Sequence, residues 1–387
     1  MNVPSMVIRG IFVAILTPVT AWAAPDTVPD PNATVIHLRT NCDIANSNAN
    51  ESPLENCFES MAAVKSWIYD RTNPSARLLV DIGPGTFGPF GCTVGDAPGN
   101  VGGELTFRGA GAGKTVLDGA GSGSIAAVAN NNCVGPKWIF EDMTLKGTYT
   151  VVWFGGGEST WNNVVIDGSN AAWYDAVGGS GAPCAEGQQG THRFFSSQLK
   201  SAANGGFGFL NACGDNWFWG SEVAVVGVGG TVFSINGAGN RVHLYGSNVR
   251  IEASASAGSS GSLTAITVSN NGELHSHGVG IDVVGKPGWT LTAISASAGA
   301  SVHANVSSYF MAPSTGATLR RIVNNNGHVH APYLWEEHPT PPAIQSVDGA
   351  DIAVVTSGTS DNHPHMVVYD SSCSSKWYDM VDKACRP

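Results

Sequence analysis

From Leu78 to residue 335 apolar residues recur at every second position in short runs, broken by Gly, Asn and Ser. Alternation of this kind predicts strands with one face inward and one outward. Val242-His243-Leu244-Tyr245, Leu274-His275-Ser276-His277, Val302-His303-Ala304-Asn305 and Val329-His330-Ala331 share one register, which turns Val, Leu and small residues inward and His outward. A second motif, Leu263-Thr264-Ala265-Ile266, Leu291-Thr292-Ala293-Ile294 and Leu319-Arg320-Arg321-Ile322, returns every 28 residues. Earlier, Trp138 to Leu145 and Ser159 to Ile166 each read as a strand, a bend at Asp142 or Asn163, and a second strand. Repeats of this length, built from strands and turns without interspersed helices, predict a solenoid whose coils bury a common core. Two packed sheets are the competing arrangement. Helical spacing appears at Phe58, Met61, Val64 and Ile68, and predicts one short helix ahead of the coils.

Composition narrows the function classes. Only 13% of the 387 residues are charged and 49 are Gly, a turn-rich chain with a neutral surface. The 19 Lys+Arg against 30 Asp+Glu give −11 with no basic block, which argues against a nucleic-acid binder that tracks phosphates. Arg9, the apolar run Ile11 to Leu16 and Ala21-Trp22-Ala23 form the pattern of a signal peptide over 1–23, so the expected location is extracellular or periplasmic. Without Arg9 the balance is 18 − 30 = −12. No later run is long and apolar enough for membrane insertion. Eight cysteines suit an oxidising compartment, and nearest-neighbour pairing would join Cys42 to Cys57, Cys92 to Cys133, Cys184 to Cys213 and Cys373 to Cys385. No Cys pair has zinc-like spacing, so no metal site is expected from them. The chain divides into the signal, a cap segment 24–77 containing the short helix, coils over 78–335, and a tail 336–387 closed by a disulfide.

Two stretches carry a resemblance. Leu79-Val80-Asp81-Ile82-Gly83-Pro84-Gly85-Thr86-Phe87 and Leu105 to Gly119, together with Gly230-Thr231-Val232-Phe233-Ser234-Ile235-Asn236-Gly237, resemble the entry coils of pectin methylesterases and the wider pectin lyase-like superfamily. The resemblance implies an all-β, right-handed parallel β-helix, its N-terminal end capped by the helix. The methylesterase chemistry does not come with it: where the family places a nucleophilic Asp after Gly-Thr-Val, this chain has Phe233, and no Gln-Asp-Thr segment supplies the second acid.

The outward register defines the candidate site. Arg193 and Phe195, Trp217 and Trp219, His243 and Tyr245, His275 and His277, His303 and Asn305, and His330 should stand on successive rungs. With about 4.8 Å per rung they form a strip about 24 Å long. Aromatic faces and imidazole hydrogen bonds suit an extracellular polysaccharide laid along that strip. For acid–base work the candidate carboxylates are Asp142, Asp167, Asp175 and Asp215, with Asp142 and Asp175 carried forward beside Arg193 as the strand-borne cation, for a polysaccharide lyase or glycoside hydrolase; the competing role for Asp142, with Asn163, is a ladder of polar bends. The alternative is a non-catalytic carbohydrate-binding or structural surface protein. No cofactor is required; calcium enters only as a bridge to a polyanionic polymer, since the net charge otherwise favours a neutral one.

Overall fold

The computed structural model describes residues 33–42, 56–69, 77–91, 103–119, 127–129, 137–153, 157–175, 190–202, 204–211, 214–313 and 316–330, and short strands within 336–385. Three walls of parallel strands surround one core. The first wall runs through Arg77–Ile82, Glu104–Arg108, Lys137–Glu141, Gly157–Asn162, Gly190–Phe195, Gly214–Trp219 and Arg241–Tyr245. It continues into the leading halves of Glu273–Val284 and Ser301–Ala312 and ends at His328–His330. The second wall starts at Gly85–Phe87 and includes Gln198–Ser201, Glu222–Gly227 and Asn248–Ala253. The third passes through Asn204–Asn211, Gly229–Asn236, Ser262–Ser269, Thr290–Ala296 and Thr318–Asn324. Along each wall a strand pairs in parallel with the equivalent strand of the next coil, up to Thr318–Asn324 and His328–His330 at the end, and parallel crossovers of L-residues wind to the right. The fold is a right-handed parallel β-helix, and the parallel register excludes the sandwich. The 28-residue repeat is one coil, with Leu263, Leu291 and Leu319 paired side by side on the third wall.

Alternation fills the core. Inward residues of the first wall form an aromatic column, Phe107, Phe140, Trp161, Phe194 and Phe218, with successive ring centroids 5.2, 4.2, 6.0 and 4.5 Å apart and nearly parallel planes. The helix Met61–Tyr69 turns Met61, Val64 and Ile68 into the same core. Residues Thr34–Leu38, inside the segment expected to be cap, pair in parallel with Arg77–Ile82 and bury Ile36 and Leu38, so the first wall begins before the helix. The reason is local: five alternating residues between polar flanks are enough for an edge strand, yet too short to stand out as a repeat. A disulfide between Cys42 and Cys57 ties this strand to the residues leading into the helix. The signal segment and Cys92, Cys133, Cys184, Cys213 and Cys373 lie outside the described residues; Cys385 is described only as part of the strand Ala384–Cys385. Five short tail strands, Glu336–His338, Ile352–Val355, His365–Tyr369, Trp377–Asp379 and Ala384–Cys385, form a second sheet with one parallel and three antiparallel pairings.

The corner between the first and second walls fixes how the outward side chains line up. One residue per coil takes the left-handed conformation there: Asp142, Asn163, Ser196, Gly220, Gly246 and Gly278, with φ of 52°, 51°, 47°, 54°, 54° and 64°. The next position carries Ser197, Ser221 and Ser247. Val164 N–H donates to Ser197 Oγ, Ser197 N–H to Ser221 Oγ and Ser221 N–H to Ser247 Oγ, each at 3.2 Å. Repetition of one bend and one hydroxyl ladder keeps consecutive rungs in register without drift.

Candidate functional site

The outward side of the first wall carries three columns parallel to the coil axis. The middle column is Thr160, Arg193, Trp217, His243, His275, His303 and His330, each the direct register partner of the next. On one side run Phe195, Trp219, Tyr245, His277 and Asn305, and on the other Glu158, Thr191, Asp215, Arg241, Glu273, Ser301 and His328. Toward the N-terminal end the wall is covered: Ile139, Glu141 and Thr160 face outward by register yet are at most 8% exposed. Along the middle column exposure begins at Arg193, which ion-pairs at 3.2 Å with the exposed Glu158 of the preceding rung.

The rings lie flat on one another. Centroids are 3.8 Å apart for Trp217 and His243, 4.8 Å for His243 and His275, and 4.9 Å for His275 and His303, with planes within 11°. In the neighbouring column Phe195 stacks on Trp219 at 4.6 Å, Trp219 on Tyr245 at 5.8 Å and Tyr245 on His277 at 5.1 Å. Ring faces therefore look along the coil axis and are occupied by their neighbours; what solvent meets is ring edges. The expectation of aromatic faces offered to sugars is corrected on this point. Sequence fixes which side of a strand a ring occupies, whereas ring orientation is set by the rung above and below.

Carboxylates flank the imidazoles. Asp215 Oδ1 lies 3.0 Å from His243 Nε2, and Glu273 Oε2 lies 3.7 Å from His275 Nε2 while accepting a hydrogen bond from Arg241 Nε at 2.8 Å. Burial pushes the Asp215 carboxyl up, but the hydrogen bond and charge of His243, the Trp217 indole and Arg241 outweigh it and hold the pKa below the usual value. Burial, then the charges of His243 and His303, lowers the His275 pKa, with Glu273 acting the other way. His303 is lowered by burial first and by His330 and His328 next. Two unit charges 5 Å apart repel by about 3 kcal/mol at an effective dielectric of about 20. The column therefore cannot hold a proton on every ring at once without compensation. An imidazole steadied by a carboxylate can take a proton as a general base, and Asp215 with His243 is such a pair.

The residues selected for acid–base chemistry do not meet. Arg193 stands on the first wall beside Glu158; Asp142 occupies the corner, where its Oδ1 accepts a hydrogen bond from Asn163 Nδ2 at 2.7 Å; Asp175 ends the strand Val165–Asp175 on the third wall. Asp142 belongs to the bend ladder, because a short polar side chain tolerates the left-handed conformation and satisfies its neighbours there. Asp215 is among the candidate carboxylates, but its column with Arg241 and Glu273 escaped the sequence reading, which followed two outward positions per strand. The signal was present: each residue stands two positions before a ring of the middle column, with the same parity.

No family model matches the chain, and no curated protein matches it. Solved structures do. The pectin methylesterase from Aspergillus niger in deglycosylated form is 9% identical, with a TM-score of 0.37 over 78% of this chain and 86% of that one. Pectin methylesterase from carrot is 10% identical, with a TM-score of 0.31 over 74% of this chain and 88% of that one. What the wall can do follows from its own side chains. Among the described residues no three His, Cys, Asp or Glu side chains converge as a metal site, since stacking sets imidazole nitrogens in a row instead of around a point. Among the same residues no helix is long and apolar enough to cross a membrane.

Behind the wall lies a second polar group. His192 is fully buried, stacked in register between Ser159 and Asn216. Ser159 Oγ accepts the Trp161 N–H at 2.7 Å and lies 2.7 Å from His192 Nδ1. Burial first, and the Arg193 charge second, lower the His192 pKa to about 3, so the ring is neutral near pH 7. With no exposure to solvent it serves the core and not a substrate.

Proposed function

We propose that this is a secreted β-helix protein directed at extracellular polysaccharide, which lies along the first wall parallel to the coil axis. The observation that supports the reading is the three-column wall. Ring edges stand rung by rung beside three carboxylates, Glu158, Asp215 and Glu273, and two guanidiniums, Arg193 and Arg241, on a face whose opposite side already fills the core. Ring edges of His, Tyr and Trp donate and accept hydrogen bonds, which suits the hydroxyls of a sugar chain. Burial lowers the pKa values of His275 and His303, which favours their neutral form, and the whole chain is anionic, which favours an uncharged polymer. Cleavage by a lyase or hydrolase mechanism would fall to Asp215 and His243, the couple on the wall suited to proton transfer.

One observation favours a second reading. Because the rings occupy one another's faces, the ladder can serve solely to stabilise the sheet, as in a structural surface protein. Affinity electrophoresis in neutral polysaccharides, run beside assays for reducing ends and unsaturated products, separates the cases. Retention that weakens about tenfold in His275→Ala and His277→Ala, at unchanged melting temperature, supports binding. Product in addition assigns catalysis. Absence of both retention and product leaves the ladder as a structural device and overturns the carbohydrate reading.

A further inference from the structure

Six of the 11 histidines, His243, His275, His277, His303, His328 and His330, stand on four consecutive strands of one wall. Their compensation is uneven. Asp215 and Glu273 sit beside His243 and His275, with Arg241 drawing on Glu273, and Arg193 closes the N-terminal end. Further along, no carboxylate ion-pairs with His277, His303, His328 or His330 among the described residues; His328 and His330 lie 6.2 and 5.9 Å from His303, and Tyr245 backs His277. Resting on the carbohydrate reading, we infer that the C-terminal half of this wall is an acid-gated site for a linear anionic glycan, whose carboxylate or sulfate groups bridge the exposed edges of neighbouring imidazolium rings.

The geometry makes the gate. Neutral rings stack at 4.8 to 4.9 Å with nothing to repel them. Each proton the wall takes up in acid places a charge that faces another ring within one rung. Two carboxylates cannot neutralise six such rings. An anion bridging the N–H edges of neighbouring rings offsets the repulsion, and a chain with an anion on each sugar delivers one after another along the axis. Carboxylates of uronates and sulfate esters both stay ionised at pH 5, so protein protonation alone sets the change. The wall thereby changes its ligand class: uncharged chains near neutrality, polyanions in acid.

The test is binding of the whole protein at pH 7.5 and 5.0 to three probes: a polyuronate, a sulfated glycan and a neutral glucan. The expected result is at least about tenfold tighter binding of one or both anionic probes at pH 5.0, lost in a His275→Gln, His303→Gln double variant that keeps a hydrogen-bonding edge. The two anionic arms tell carboxylate from sulfate. Equal acid enhancement in the variant would overturn the inference, since loss of overall negative charge would then explain it. Neutral-glucan binding alone would overturn the inference and keep the carbohydrate reading; no binding by any probe at either pH would sink both. As a second readout on the unaltered protein, NMR titration of the imidazoles should show their pKa values rising when the anionic probe is present, and unmoved resonances would count against the site.

Discussion

Phe218 and its two neighbours show how one residue's parity separates stability from surface. Phe218 is fully buried in the aromatic column, while Trp217 and Trp219 face outward with their rings stacked on the wall. Phe218→Ala should cost about 3 to 5 kcal/mol, read from denaturant melts, and Trp219→Ala about 1 kcal/mol for its lost stacking partners. A reversed order would put the strand inside out. His192 gives a pH dependence of definite sign. Its folded pKa is about 3 against 6.5 unfolded, so between these values the unfolded chain binds the proton and the folded chain does not. Stability should be full above about pH 6.5 and fall as the pH drops toward 3, by an amount on the order of 4 kcal/mol. The variant His192→Leu, compared with the parent across that range, should flatten the slope; an unchanged slope would assign it elsewhere.

At the scale of the element, the corner residues govern register. Gly220 has φ of 54° and open space around a would-be Cβ, so Gly220→Ala should destabilise by about 1 to 2 kcal/mol through backbone conformation alone. Ser196, at φ of 47°, is the complementary case, and Ser196→Gly should gain up to about 1 kcal/mol in the same melts. These corners also mark what the sequence made readable. The Val-His-Leu-Tyr alternation sufficed to set the first wall's register, and the recurring Leu-Thr-Ala-Ile sufficed for one coil of the third wall, because core burial enforces both patterns. The stacking of the rings and the contact between Asp215 and His243 were not readable, since they depend on which strands become neighbours. Asp142 carries two readings for a related reason: an Asp chosen for a left-handed bend looks, in one dimension, like an Asp chosen for chemistry, and its φ of 52° and bond to Asn163 fit the bend.

Among the described residues each coil pairs its strands with those of the adjacent coils, so stability should be local and additive along the axis. The Cys42–Cys57 disulfide closes a 15-residue separation at one end of that line. Its removal in a Cys42→Ser, Cys57→Ser variant should cost about 3 kcal/mol by loop entropy. Hydrogen exchange should rise in Thr34–Leu38 and Arg77–Ile82 while the strands from Arg241–Tyr245 onward keep their protection. Uniform loss of protection along the chain would mean that the solenoid unfolds as one unit.

The contact between Trp217 and His243, at 3.8 Å and 7° between planes, gives the wall an optical voice of its own. A protonated imidazole against an indole accepts its excited electron and dims its emission, whereas a neutral one does so far less. The difference in fluorescence between the native chain and Trp217→Phe should therefore report, without any added label, when the proton reaches that ring and when a ligand displaces it.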